Sequence, residues 1–222
     1  MLLVTIERYS FTTKILLAPY NFLRLHEIVQ MIFIISLTVL VPTLILREVS
    51  DNFQSFKHQK SFFLALIFIL GIYFYATGNG LHEVSSFNFN QYCNIKQFSG
   101  NLCSGFFFND YYTGNIFYFV GGFLMTIPLL VFEYLKPIVT FKRNDMLIAL
   151  TNACVYALAI FAYSAFDRVL VGLVYSIITT IVSGVFFYKI RKNYQRYPVI
   201  TYTTITYVLG TIAAIIVRSA HF

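Results

Sequence analysis

Three of the four histidines in this chain, His26, His82 and His221, stand where long apolar runs begin or end, and each has a charged neighbour. Glu27 follows His26, Glu83 follows His82, and Arg218 precedes His221 by one helical turn; Asp110 opens another apolar stretch, and Asp167 with Arg168 divides two more. Ionisable groups in or beside a membrane are costly, so their positions mark candidate functional sites. Three imidazoles with carboxylates nearby are the inventory of a zinc centre with one open position. A Zn2+ ion there would lower the pKa of its bound water to about 7. In that reading His26, His82 and His221 are the metal ligands, while Asp110 and Glu83 are the catalytic carboxylates that orient the water or shuttle its proton. Asn79, Asp167, Arg168 and Arg218 are the expected substrate-binding residues. A hydroxide held at the bilayer surface suits ester or amide bonds of lipids, whose chains would lie against the Phe-rich helices.

The same residues admit plainer roles. Each histidine taken singly also fits among headgroups, as do many of the 17 tyrosines. Asp110, followed by Tyr111, Tyr112 and Thr113, also fits as a helix cap. Asn79, His82, Glu83 and Ser86 share one face only if their helix continues past Gly80. Neither an HExxH nor a GxSxG pattern occurs, and Gly78-Asn79-Gly80 is too short for a phosphate loop.

These residues must be positioned by membrane helices. The chain has 222 residues, 58% hydrophobic and 11% charged, with a mean hydropathy of +0.71. That balance excludes a water-soluble globular domain and intrinsic disorder alike. About 20 residues cross a bilayer, and apolar runs occupy 28–46, 61–79, 116–132, 146–166, 169–188 and 199–217. The expected fold is all-α: a polytopic bundle of six transmembrane helices forming a single integral membrane domain, with no room for a soluble catalytic domain. Residues 1–25 read as a retained, partly amphipathic lead-in, because Glu7, Arg8, Lys14 and Pro19 interrupt the apolar pattern that a cleaved signal needs. Pro42 and Pro128 are tolerated inside spans because neighbouring helices can satisfy the freed carbonyls. The fourth and fifth runs are parted only by Asp167 and Arg168, so a tight helical hairpin is expected near 165–168.

Orientation follows from Lys and Arg in the connections. Connections 1–2, 3–4 and 5–6 carry Arg47, Lys57, Lys60, Lys136, Lys142, Arg143, Lys189, Arg191, Lys192 and Arg196; the opposite set is only Arg8, Lys14, Arg24, Lys96, Arg168 and Arg218. The richer side is expected to be cytoplasmic, which puts both termini and a long 81–114 loop outside. His58 then falls on the cytoplasmic side. Cys93 and Cys103 both lie in that loop, where an oxidising compartment permits a disulfide; two free thiols are the alternative. A plasma membrane or an endomembrane fits equally.

The order of Glu27, His82, Asp110 and His221 resembles that of the alkaline ceramidase and adiponectin-receptor superfamily of membrane metal hydrolases. The resemblance implies a zinc ion ringed by an acid near helix 1, a His ending helix 2, an Asp opening helix 3 and a closing HxxxH. This sequence departs from the pattern in having Gly78 where the family has Ser, Val217 where the closing pair needs its first His, and six spans in place of seven.

Two other classes compete with a lipid hydrolase. A transporter would use Asp167, Arg168 and Arg218 as an ion-pair gate with hinges at Pro42, Pro128 and Gly78–Gly80, yet no acid or base falls at mid-membrane depth, where ion relays place one. A noncatalytic module binding lipid or another membrane protein, or a homo-oligomer, would use small residues such as Gly114, Gly121, Gly122, Gly172, Gly184 and Gly210 for close helix contact. The basic segment 189–196 points to anionic headgroups rather than nucleic acid, so membrane lipids are the expected partners.

Overall fold

The computed structural model describes residues 9–57, 59–94, 96, 100, 102–137 and 142–221, excluding the side chains of Lys60 and His221; His58 lies outside the described residues. The described residues include six helices long and apolar enough to cross a membrane. They are α1 (Leu25–Val49), α2 (Gln59–Tyr92), α3 (Leu102–Leu135), α4 (Arg143–Phe166), α5 (Val171–Ile190) and α6 (Pro198–His221).

Polarity is inverted relative to a soluble protein. Phe33, Ile69, Leu158, Ile181 and Ile216 are all at least 60% exposed, whereas Ser164, Ser176, Ser183 and Thr206 are wholly buried. Apolar side chains facing outward with hydroxyls packed inward is the arrangement a hydrocarbon solvent selects.

Most of the expected 81–114 loop is helix, with α2 continuing to Tyr92 and α3 starting at Leu102. α2 runs 34 residues, about 50 Å at about 1.5 Å per residue, so it outreaches a hydrocarbon layer of about 30 Å. In the polar stretch past Gly80 the amides bond back onto the helix: Asn88 Nδ2 donates to the Val84 carbonyl at 2.7 Å and Asn90 Nδ2 to that of Ser86 at 2.8 Å. Cys93 and Cys103 form a disulfide, with Cα atoms 5.7 Å apart, where α2 ends and α3 begins. From Tyr9 onward the lead-in contains a 3-10 turn at Phe11–Lys14 that leads into a short hairpin with Leu16 bridged to Arg24.

The chain forms two compact units: residues up to Val41 with Leu70–Gly122, and Pro42–Ile69 with Phe123–Phe222. In the first, α2 and α3 pack antiparallel almost backbone to backbone. A methyl group at Gly78 would fall on the backbone of Tyr118 and Gly114, and one at Gly121 on that of Tyr75 and Gly71. Seven-residue spacing on both helices keeps the glycines on one seam. Tyr75 and Tyr118 stack beside it, with ring centroids 4.3 Å apart and hydroxyls at 2.8 Å.

In the second unit α6 is held at both ends. Glu133, just past the expected third span and fully buried in α3, accepts the Val199 and Ile200 N–H groups at 2.9 and 2.7 Å. It thereby satisfies two of the free donors that begin α6 after Pro198. At the other end Arg218 donates from Nε to the Ser164 carbonyl at 2.8 Å and from Nη2 to that of Asp167 at 2.7 Å. The expected α4–α5 reversal is present, with Asp167–Leu170 between the helices. Hydroxyl contacts join the helices between these ends: Thr204 donates to the Ser183 carbonyl, and Thr180 meets Thr211 at 3.1 Å.

Candidate functional site

A cleft of about 200 Å³ in the first unit is lined by Arg24, His26, Glu27, Gln30, His82, Glu83, Ser86 and Phe87. Two short segments supply it: the first turns of α1 and one face of α2 beyond Gly80. Continuation of α2 past that glycine brings His82, Glu83 and Ser86 together, as their spacing requires. Asn79, one turn earlier, is half-buried and is not part of the lining; its Nδ2 has no acceptor among the described residues.

Asp110 stands behind His82. It is 2% exposed, and its Oδ1 lies 2.7 Å from His82 Nδ1, while its own carbonyl lies 3.4 Å from the same nitrogen. Two features create this meeting. Gly114 lets α2 approach so closely that a methyl there would stand 2.9 Å from the His82 amide nitrogen. The turn Asn109–Gly114 is a π-helical widening that sets Asp110 within α3; such widenings recur at functional sites. Asp110 is therefore not the helix cap that its sequence context also allows, since α3 begins at Leu102.

Carbonyl and carboxylate oxygens only accept hydrogen bonds, so with the Asp110 carbonyl as partner a neutral His82 carries its proton on Nδ1 and leaves Nε2 with a lone pair. The side chain is 36% exposed and lines the cleft. An imidazole beside a buried carboxylate is the pairing of base and orienting acid that nucleophilic and hydrolytic sites use.

On the α1 side, Glu27 is 3% exposed and bound to Arg24. Its Oε2 accepts the Arg24 N–H at 2.8 Å, and its Oε1 accepts the Arg24 side chain, with Nε at 3.1 Å and Nη2 at 2.9 Å. Glu27 thereby satisfies the Arg24 N–H at the start of α1. The Arg24 guanidinium also lies 4.9 Å from the centre of the Phe87 ring. A second π-helical widening, Gln30–Ile34, begins one turn after His26 and carries the buried Gln30.

The expected zinc ligands are thus only partly gathered. His26 and His82 line one cleft, while the His221 side chain lies outside the described residues. Among the described residues, no three His, Cys, Asp or Glu side chains are grouped to hold a metal ion. Asp110 is turned to His82 and Glu27 to Arg24. Arg218 bonds main-chain carbonyls at the α4–α5 turn, and Asp167 and Arg168 lie in that turn in the second unit.

Three contributors escape the sequence reading. Arg24 counts there only as a topology charge, although Arg24-x-x-Glu27 before an apolar run has capping-box spacing. Gln30 follows His26 by four residues and shares its face. Phe87 gives no signal, since it looks like any other residue of an aromatic helix. No protein-family model, curated protein or solved structure matches this chain.

Proposed function

We propose that this multi-pass membrane protein hydrolyses ester or amide bonds of membrane lipids, with His82 as general base and Asp110 as its positioning residue. The 2.7 Å contact between His82 Nδ1 and the buried Asp110 carboxylate carries this reading. In the reaction, His82 Nε2 takes a proton from water as the water oxygen adds to the lipid carbonyl. The imidazolium then returns that proton to the departing alkoxide or amine. Asp110 fixes the ring and stabilises its charged form. Glu83 and His26, on the same cleft, are placed to bind the polar part of the substrate. The excess of Lys and Arg in alternate connections, together with the Cys93–Cys103 disulfide, supports an extracytoplasmic cleft.

The test is turnover of a panel of lipid esters and amides by the purified chain in vesicles. His82→Ala is expected to lower turnover by about 10²–10⁴-fold, the usual contribution of a positioned general base. Unchanged turnover would reject the assignment. The zinc-dependent form of this reading needs a further ligand beside His26 and His82. Elemental analysis, combined with activity after chelation and after zinc is restored, tests that form directly. Lipid held in the cleft without turnover would replace hydrolysis by noncatalytic lipid binding.

A further inference from the structure

The segment ahead of α1, a 3-10 turn followed by the hairpin, carries its large side chains on the outside. Tyr9 is 88% exposed, Phe11 69%, Tyr20 75% and Phe22 60%. Its backbone is nevertheless tied down. The Leu17 N–H donates to the Leu23 carbonyl at 2.9 Å and the Leu25 N–H to that of Ile15 at 2.8 Å, and Asn21 makes the turn with a φ of 57°. An ordered loop that displays four aromatic rings needs an apolar surface to cover them.

Charge and continuity identify that surface. From Tyr9 to Arg24 there is no Asp or Glu, while Lys14 is exposed. The hairpin runs straight into α1 at Leu25, and it touches the last residue of α2, where the Tyr92 hydroxyl donates to the Asn21 carbonyl at 3.3 Å. The loop therefore lies where two helices long and apolar enough to cross a membrane end, and aromatic rings and basic side chains are both favoured beside a membrane surface. A row of rings leads from it to the cleft. Tyr20 stacks on Phe22 at 6.3 Å, Phe22 meets Tyr92 edge-on at 6.3 Å, and Tyr92 meets Phe87 of the cleft wall at 6.2 Å.

We propose that this segment is a lipid-docking element, with Tyr9, Phe11, Tyr20 and Phe22 seated in the bilayer interface beside the cleft and Lys14 on anionic headgroups. The proposal rests on the membrane-spanning character of the chain and stands whether or not the cleft is hydrolytic.

The chain has no tryptophan, so Tyr20→Trp, Phe22→Trp and Phe11→Trp each create a single emitter. The full chain carrying one of them is reconstituted into vesicles of equal parts phosphatidylcholine and phosphatidylglycerol, with the phosphatidylcholine brominated high on its acyl chains. Phe33→Trp, on the exposed side of α1, provides the signal of full lipid contact. Circular dichroism and an intact Cys93–Cys103 bond confirm folding; Phe11→Trp, in the 3-10 turn, serves if a hairpin variant misfolds. Emission is expected to shift to the blue, to fall at least by half with brominated lipid, and to resist aqueous acrylamide. Adding Lys14→Glu is expected to weaken the lipid quenching. Quenching by acrylamide but not by brominated lipid would place the rings in water and overturn the proposal. Quenching by neither would place them under protein, such as a second copy of the chain, and would overturn it as well. Lipid quenching that Lys14→Glu leaves unchanged would overturn the anionic-headgroup assignment.

Discussion

At the scale of single residues, the site is defined by which groups are already engaged. Glu27 looks in the sequence like an available acid beside His26, yet both of its oxygens accept from Arg24. Asp110 touches His82 and is sealed from solvent, so in the proposed reaction it orients the imidazole and does not meet substrate. Asp110→Asn tests this division. An amide can donate to Nδ1 and so favour the opposite ring tautomer, which removes the lone pair from Nε2. Turnover is expected to fall by about 10²–10⁴-fold with KM little changed, and the pH–rate profile should lose the limb belonging to the imidazole. A change confined to KM would instead make Asp110 part of substrate binding. Glu27→Gln is expected to lower stability more than turnover, as read by thermal unfolding alongside the same assay.

Helices decide whether those residues meet. The α2–α3 seam allows no side chain at Gly78, because its neighbours there are the Tyr118 and Gly114 backbones rather than a movable side chain. Gly78→Leu should therefore push the helices apart, costing about 1–3 kcal/mol or more as overpacking does. It should also separate His82 from Asp110, so that stability and turnover fall together. Gly184→Ala is the control, since a methyl there meets nothing within 4 Å. In α6, Glu133→Ala would leave two buried N–H groups without their acceptors, at about 1–3 kcal/mol each. Glu133→Gln, which retains one carbonyl oxygen, should lose less. Equal unfolding midpoints for Glu133→Ala and the parent chain would refute that capping role.

For the molecule as a whole, membrane sidedness is the open variable that function depends on. The α2–α3 turn carries the Cys93–Cys103 bond, and the connection after α5 is basic. After reduction of sealed, right-side-out vesicles, Cys93 and Cys103 should react with a membrane-impermeant maleimide. With Cys93, Cys103 and Cys154 replaced by Ser, a cysteine introduced by Asn193→Cys should react only after the vesicles are opened. The reverse pattern would turn the protein over and place the cleft in the cytoplasm. Loss of the disulfide should lower stability by about 2–3 kcal/mol, as expected for a short closed loop.

The sequence by itself determined the solvent and the element count, because long charge-free runs have few other stable outcomes than membrane helices. It also made the α4–α5 reversal necessary, since one uninterrupted helix through both runs would be far longer than a bilayer is thick. It placed the two cysteines close enough to pair while leaving the pairing open. Only the tertiary structure decided how far α2 and α3 extend, because the polar residues past Gly80 suit a loop as well as a helix that leaves the hydrocarbon. It alone joined His82 to Asp110, which are 28 positions apart, since their meeting depends on a glycine seam and a widened turn rather than on any local spacing. It alone revealed what Arg24, Glu133 and Arg218 do: a charged side chain shows its sign in the sequence, but its partner is set by which backbone the packing brings within hydrogen-bond reach.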